Sequence, residues 1–232
     1  MKGCTSKGRR PGGGKVLLAA GAVSDALAFE RSLWKQGYRL VAGTDEAGRG
    51  PLAGPVVAAC VILPRACDVS RLRDSKQLAP RRRRELAAEI SALAGVYLGL
   101  GVVSAAEIDR LNILQASLLA MKKAVETLAA GAGGCLPDFL LVDGKFQVPL
   151  ALPQQALVKG DSRSASIAAA SIVAKVRRDR IMAEYHLQYP QYNFIRHQGY
   201  GTAEHLRLLR EHGPCPIHRL SFKPVNHCRQ GR

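Results

Sequence analysis

Short apolar segments that end at turns alternate with segments of helical periodicity along most of this chain. The strand-like segments are "YRLVAGTD", "PVVAACVILP", "VYLGLGVVS", "PDFLLVDG" and "QQALVKGD". Helical periodicity comes before the first of them, recurs between them and follows the last. Because strands that alternate with helices pack as a sheet covered by helices, we predict an α/β fold with a helical annex at its C-terminal end.

The 232 residues fit one domain with a substantial core, because neither a long linker nor an internal repeat interrupts the pattern. We predict a disordered basic tail over 1–20, a domain over 21–225 that includes the annex, and a C-terminal tail over 226–232. A signal peptide is the alternative for the N-terminus, where basic residues precede "VLLAAGAV". No apolar run approaches the roughly 18 residues of a membrane span, so we predict a soluble protein without a membrane partner.

The charge balance indicates a polyanionic partner. The chain has 34 Lys and Arg residues against 18 Asp and Glu residues, a formal net charge of +16. Nucleic acid is the predicted partner, because each neutralised phosphate releases a counterion and favours binding. The alternative is a generally basic protein whose charges have no binding role. The run "RRRR" at 81–84 is typical of solvated surface, since it faces several directions at a helix start.

Six cysteines are scattered without a CxxC pair, and Cys60 lies in an apolar run typical of a core position. This pattern favours a reducing compartment, and we expect a cytoplasmic protein. The histidines near Cys215 and Cys228 fit no dense four-ligand zinc pattern, so packing and surface roles are favoured there.

Acidic residues follow three of the predicted strands. They are Asp45, Glu46, Asp143 and Asp161. Sites of open α/β sheets lie beyond the carboxyl ends of parallel strands, so these acids are predicted to converge. Adjacent acids on a regular strand point to opposite faces, and the first two share a site only if the strand ends or twists there. Each acid alone is typical of a solvated loop or a helix cap, whereas all of them together indicate a site.

Such a cluster repels itself unless cations are bound. Carboxylate oxygens suit Mg²⁺ or Mn²⁺, and two such ions about 3.5–4 Å apart can activate water and stabilise the leaving oxygen of a phosphodiester.

A nucleotide-binding loop is the competing interpretation of "GTDEAGRG". It is rejected because Arg49-Gly50 stand where Lys-Ser/Thr is required, and because two acids would oppose a bound phosphate.

Several blocks resemble the bacterial ribonuclease HII family, in the same order. They are "GTDEAGRGPLAGPVVAACVIL", "DSKQL", "LLVDG", "KGDSRSASIAAASIVAKVRRDRIM" and "HQGYGTAEHLRLLREHGPCPIHRLSF". The match covers about 26–225. It implies a ribonuclease H-like fold, with a mixed sheet flanked by helices and a helical C-terminal annex.

The resemblance also implies an activity. It is the metal-dependent cleavage of the RNA strand of RNA–DNA hybrids, and of DNA duplexes 5′ of a single embedded ribonucleotide, leaving a 3′-hydroxyl and a 5′-phosphate. We therefore expect a role in removing ribonucleotides from DNA. The implied cofactor is Mn²⁺ or Mg²⁺, two ions during catalysis, held by the acids named above. The family further suggests a monomer.

The same resemblance assigns substrate contacts to Gly48, Arg49, Gly50 and Tyr200. Elementary chemistry agrees, because a glycine-flanked turn lets the backbone approach a sugar and the 2′-hydroxyl distinguishes RNA from DNA. Tyr200 is predicted to stack on the sugar of the following deoxynucleotide, or otherwise to anchor its loop. Further candidate contacts with the substrate are Lys159, Ser162, Ser164 and Lys175. A phosphate or metal near the helix after Asp161 would be favoured by exposed amides.

Two other functions fit parts of the pattern. A basic nucleic-acid-binding protein without catalysis has no reason to place acids in the glycine-rich loop. A nuclease specific for DNA, such as a Holliday-junction resolvase, would have similar acids. The "GRG" and "GYGT" segments favour ribose recognition instead.

Overall fold

The computed structural model describes residues 25–72 and 79–230. The predicted tail over 1–20 and the block "DSKQL" lie outside these residues. The strands are β1 (Val41–Ala47), β2 (Val56–Ile62), β3 (Tyr97–Val103), β4 (Phe139–Asp143) and β5 (Gln154–Leu157). The helices are α1 (Ala28–Lys35), α2 (Pro80–Ala92), α3 (Ala105–Leu111), α4 (Ile113–Gly131), α5 (Ala165–Gln188), α6 (Phe194–His197), α7 (Ala203–His212) and α8 (Lys223–Gln230).

The five strands form one mixed sheet in the order β3-β2-β1-β4-β5. β1 and β3 are antiparallel to β2, whereas β4 is parallel to β1 and β5 is parallel to β4. The predicted mixed sheet flanked by helices is confirmed. The parallel half places the carboxyl ends of β1, β4 and β5 at one edge of the sheet, where the acids were expected.

Both faces of the sheet are covered, which explains the continuous apolar run of β2. Val56, Ala58, Cys60 and Ile62 share a core cluster with residues of α4, while Ala59 and Val61 share one with α2 and α5. α5 lies close to β1: a Cβ on Gly43 would overlap the backbone of α5 at Ser166 and Ile167. This close approach brings the start of α5 against the acidic end of β1.

The C-terminal annex packs on the loop that follows β1. Leu52 donates its N–H to the carbonyl of Gly199 at 2.8 Å and accepts the N–H of Arg219 at 2.8 Å. Gly54 donates to the carbonyl of Ile217 at 2.8 Å. α8 crosses the boundary predicted at 225/226, so the predicted C-terminal tail begins within a helix. The loop after β1 is thereby held from two sides.

No helix in residues 25–72 and 79–230 is both long and apolar enough to cross a lipid bilayer.

Candidate active site

Asp45 and Glu46 lie near the end of β1, past the point where its parallel neighbour stops. The pairing of β1 with β4 ends at Thr44, whereas its antiparallel pairing with β2 continues to Ala47. Asp45 is 6 % exposed, and its Oδ1 accepts the N–H of Glu46 at 2.7 Å. Both acids therefore belong to the strand, at the edge that β4 leaves open.

One hydrogen bond ties the side chain of Asp143 to the turn that carries Asp161. Asp143 is the last residue of β4, and its Oδ1 accepts the N–H of Gly160 at 2.6 Å. Asp161 lies in a short 3-10 turn rather than at the end of β5, which stops earlier in the chain. Lys159 adopts a left-handed conformation (φ 55°) that leads the chain into this turn. The turn brings Asp161 into the neighbourhood of Asp143.

Burial and mutual repulsion disfavour the charged forms of the central acids. Burial raises the pKa of Asp45 well above its ordinary value, and the charges of Glu46 and Asp143 raise it further. A hydrogen bond from Ser171 of α5 opposes this rise. Burial also raises the pKa of Glu46, against the lowering effect of the Arg49 guanidinium. A cation bound among these acids would stabilise their charged forms.

The acids do not form a preassembled metal site. Within the described ranges, no group of three or more Asp, Glu, His or Cys side chains is arranged to hold a metal ion. Over the same part of the chain, Oε2 of Glu46 is buried without a hydrogen-bond partner. Hard oxygen donors beside open space suit Mg²⁺ or Mn²⁺, because Mg²⁺ keeps several ligands from water and substrate phosphates.

A cavity of about 310 Å³ adjoins Glu46. Its lining also includes Gly48, Arg83, Ser171, Lys175 and Tyr200. One wall therefore comes from β1 and its following turn, and another from α2 and α5. Cationic and aromatic side chains of this kind commonly contact the phosphates and sugars of nucleic acids. Here they surround a carboxylate of the candidate active site.

Gly48, Arg49 and Gly50 form the turn after β1, here called the GRG turn. Gly48 has φ 100°, a conformation that glycine adopts without strain. The Nη1 of Arg49 donates to Oε1 of Glu46 at 3.1 Å, while half of the Arg49 side chain remains exposed. The turn therefore places a cation directly beside the carboxylates.

Tyr200 lies next to the GRG turn. Tyr200 is 44 % exposed. A Cβ built on Gly50 would lie 3.8 Å from Cε1 of the Tyr200 ring. The Cζ of Arg178 lies 5.9 Å from the centre of the ring. The carbonyl of Tyr200 accepts a hydrogen bond from Nδ1 of His205 at 2.9 Å. The ring is exposed while its backbone is held, and both features suit a stacking platform.

Comparison with known proteins agrees with this arrangement. The sequence profile described as ribonuclease HII matches residues 42–225. The chain belongs to the ribonuclease HII family. It is therefore a ribonuclease H, a hydrolase of phosphodiester bonds, and the resemblance seen in its sequence is confirmed.

Individual ribonuclease HII relatives cover most of the chain. It is 53 % identical to the ribonuclease HII of Syntrophotalea carbinolica, over 86 % of this chain and 92 % of the relative. It is 55 % identical to that of Desulfotalea psychrophila, over 90 % and 92 % respectively. The solved ribonuclease H2 of Pyrococcus horikoshii superposes with a TM-score of 0.67 at 25 % identity, covering 83 % of this chain and 98 % of that one. The ribonuclease H-like fold is confirmed.

The remaining predicted contacts have different surroundings in this ribonuclease HII family member. Lys159 and Ser162 are exposed in the turn that carries Asp161, where the hydroxyl of Ser162 donates to the carbonyl of Lys159 at 2.8 Å. Lys175 lines the cavity, with Nζ 2.6 Å from Oδ1 of Asp179.

Ser164 is buried, and its hydroxyl donates to Glu30 at 2.6 Å. Ser164 is therefore committed to the protein interior, and the other residues remain accessible.

The start of α5 is not an open anion site, contrary to the expectation from sequence. The N–H of Ala165 donates to the carbonyl of Ala26 at 2.7 Å, and that of Ser166 to the carboxylate of Glu30 at 2.9 Å. The N–H of Ile167 donates to the Ser164 hydroxyl at 3.2 Å. The first two amides are occupied because the α1 region packs against the start of α5, a long-range contact that no local pattern reveals, whereas Ser164 caps the third locally.

Sequence reasoning missed several residues around this site. They are Glu30, Arg83, Ser171, Arg178 and Arg219. Arg83 comes from the "RRRR" run that was predicted to be solvated surface; Arg81 and Arg82 do pair with Glu85 there, but Arg83 lines the cavity. The only available signal was the helical spacing of 171, 175 and 178, which places these residues on neighbouring turns of α5.

Proposed function

We propose that this chain is a metal-dependent endoribonuclease that cleaves the RNA strand of RNA–DNA hybrids. We further propose that it cuts DNA duplexes on the 5′ side of a single embedded ribonucleotide, leaving a 3′-hydroxyl and a 5′-phosphate. The cellular role is the removal of ribonucleotides from DNA. The enzyme acts as a monomer in the cytoplasm.

The metal-binding residues in this proposal are Asp45, Glu46, Asp143 and Asp161. Their carboxylate oxygens are the ligands that Mg²⁺ and Mn²⁺ prefer. A bound cation would also stabilise the charged forms of Asp45 and Glu46, which burial disfavours. The orphaned Oε2 of Glu46 supplies a free ligand atom. Two bound ions would activate a water and stabilise the departing 3′-oxygen. Substrate phosphate and water would complete the coordination of these ions.

The side chains around the cavity bind and orient the substrate. Arg49 and Arg83 offer planar guanidinium donors that match phosphate oxygens, and Lys175 offers a point charge. Lys159 and Ser162 extend this basic surface past Asp161. In this proposal the Tyr200 ring stacks on the sugar next to the ribonucleotide. The GRG turn contacts the 2′-hydroxyl, which a deoxyribose lacks.

The observation that carries this proposal is the shared cavity. Glu46 of the acidic cluster, Gly48 of the GRG turn and Tyr200 all line it. The residues proposed to recognise ribose and the carboxylate proposed to bind metal would therefore face the same stretch of the nucleic-acid backbone. A nuclease without ribose recognition has no use for this pairing.

The test uses three labelled duplexes: all-DNA, DNA with one ribonucleotide, and an RNA–DNA hybrid. Each is incubated with the protein and Mg²⁺ or Mn²⁺, with Asp45→Asn alongside. We expect cleavage of the last two duplexes only, and none by Asp45→Asn, which should still bind them. Cleavage of all-DNA at a similar rate would indicate a DNA nuclease. Tight binding without cleavage of any duplex would indicate a non-catalytic binder.

A further inference from the structure

Two arginine side chains lie buried beneath the GRG turn. Arg178 comes from α5 and Arg219 from the segment after α7, and both are 0 % exposed. Among the residues that the structure describes, neither forms an ion pair with a carboxylate; both donate to backbone carbonyls instead. A buried cation without a counterion is costly, so its retention calls for a reason beyond filling space.

Arg219 binds the inner side of the GRG turn. Its Nη2 donates to the carbonyl of Gly48 at 2.6 Å and its Nη1 to that of Arg49 at 2.9 Å. Its Nε donates to the carbonyl of Gly54 at 3.0 Å. One planar guanidinium thus fixes two successive peptide groups of the turn.

These bonds determine where the amides of the turn point. In a planar trans peptide, the C=O of one residue and the N–H of the next lie on opposite sides. Because the carbonyls of Gly48 and Arg49 point inward to Arg219, the N–H groups of Arg49 and Gly50 point outward. Arg49 and Gly50 are exposed, and no acceptor for either amide lies within the described residues.

Arg178 connects the same turn to Tyr200. It donates to the carbonyls of Ala53 and Gln198, each at 3.1 Å, and its Cζ lies 5.9 Å from the centre of the Tyr200 ring. A Cβ on Gly48 would overlap the Nε and Cδ of Arg178. The side chain therefore fills the space between the turn and the segment that carries the tyrosine.

We propose that Arg178 and Arg219 are positioning residues for ribose recognition. They hold the GRG turn so that two outward amides, those of Arg49 and Gly50, meet the 2′-hydroxyl oxygen beside Tyr200. A deoxyribose offers no acceptor there, so the pair sets the preference for a ribonucleotide without touching the substrate. This inference rests on the proposed function and deepens it.

The test compares Arg219→Lys and Arg178→Lys with Arg180→Lys, each in the Asp45→Asn background so that bound duplex stays intact. Arg180 is the matched control, because it lies on α5, is largely exposed and pairs with Glu184. Fluorescence anisotropy gives the affinity for the duplex with one ribonucleotide divided by that for all-DNA. We expect this ratio to fall roughly fivefold to tenfold in the first two variants, as for one lost hydrogen bond, and to stay unchanged in the control.

The outcomes separate positioning from general stability. Lysine keeps the charge but loses the fork that fixes two carbonyls. A purely structural role would lower the melting temperature and leave the affinity ratio unchanged, which would overturn the inference. If Asp45→Asn alone shows no ratio above one, and the unmodified protein cleaves no ribonucleotide duplex, the proposed function fails instead.

A second measurement needs no buried substitution. In ¹⁵N-labelled Asp45→Asn protein, the amides of Arg49 and Gly50 should exchange rapidly with water. Adding the duplex with one ribonucleotide should shift their resonances and slow their exchange, whereas all-DNA should leave them nearly unchanged. Equal responses to the two duplexes would overturn the inference even if the lysine variants do not fold.

Discussion

Asp45 is a buried carboxylate whose charged form is disfavoured by burial and by two neighbouring acids. We predict that Asp45→Asn abolishes cleavage yet raises the free energy of unfolding by about 1 kcal/mol without metal, because a neutral amide removes that repulsion. Thermal denaturation in EDTA measures this, with Glu126→Gln on the exposed face of α4 as the control. A lower melting temperature for Asp45→Asn would show that its charge stabilises the metal-free fold.

Tyr200 presents its ring on the surface while its backbone is anchored. We predict that Tyr200→Ala reduces cleavage at a single ribonucleotide by roughly tenfold or more, if its contact with the sugar contributes as much as the stacking of a base on an aromatic ring, about 1–3 kcal/mol. General duplex binding should fall much less. Tyr200→Phe keeps the ring and serves as the control, with nearly normal cleavage. Equal losses of cleavage and of all-DNA binding would reduce Tyr200 to a general contact.

At the scale of elements, α1 closes the start of α5 through one side chain. Glu30 is 0 % exposed and accepts hydrogen bonds from Ser164 and Ser166. We predict that Glu30→Ala lowers the free energy of unfolding by about 2–4 kcal/mol, because it leaves two buried donors unpaired and opens a cavity. Denaturant unfolding gives the value, with Glu126→Ala as the exposed control. A loss below about 1 kcal/mol would mean that water replaces the carboxylate.

The annex contains a chain of buried histidines that is complete only when they are neutral. The N–H of Cys215 donates to Nδ1 of His218 at 3.0 Å, so His218 carries its proton on Nε2 and donates to Nε2 of His205 at 3.0 Å. His205 then donates from Nδ1 to the carbonyl of Tyr200. Burial lowers the pKa of His205 to about 4 and, with the charge of His205, that of His218 to about 3. Protonation of either ring breaks the chain.

This arrangement predicts a loss of stability in acid. Because the folded-state pKa values are lowered, the contribution of His205 and His218 is fully present above the unfolded value of about 6.5 and is lost as the pH falls toward about 4. Melting temperatures from about pH 7 to pH 4 should therefore fall less steeply for His218→Gln than for the unmodified protein. Parallel curves for the two proteins would show that His218 titrates alike in both states.

Patterns within single segments predicted the sheet and most of the helices, whereas the convergence of all four acids on one metal site stays a prediction. β2 reads as a buried strand because both of its faces are covered, and Asp143 ends a strand as its "LLVDG" context indicates. The roles of Glu30, Arg178 and Arg219 escaped prediction, because each has at least one partner more than 100 residues away along the chain. Buried arginines that bind carbonyls leave no local pattern. Arg83 was missed because only packing of α2 on α5 distinguishes it from its neighbours.

For the whole molecule, the net charge of +16 makes substrate binding dependent on salt. If about four or more phosphates are neutralised, affinity for a duplex should fall by about 100-fold or more between roughly 50 and 200 mM salt. Anisotropy titrations measure this for all-DNA and for the duplex with one ribonucleotide. The two slopes should be similar, since the 2′-hydroxyl is uncharged. A flat response would place the binding energy outside phosphate contacts.

The most direct test is the chemistry of the cut at a lone ribonucleotide. The unmodified protein is incubated with Mg²⁺ or Mn²⁺ and a duplex that carries one ribonucleotide, and both product ends are identified by mass spectrometry. We predict one cut on the 5′ side, a 3′-hydroxyl on the upstream product and a 5′-phosphate on the ribonucleotide. A cut on the 3′ side that leaves a 2′,3′-cyclic phosphate would contradict this, because the 2′-hydroxyl rather than water would then be the nucleophile.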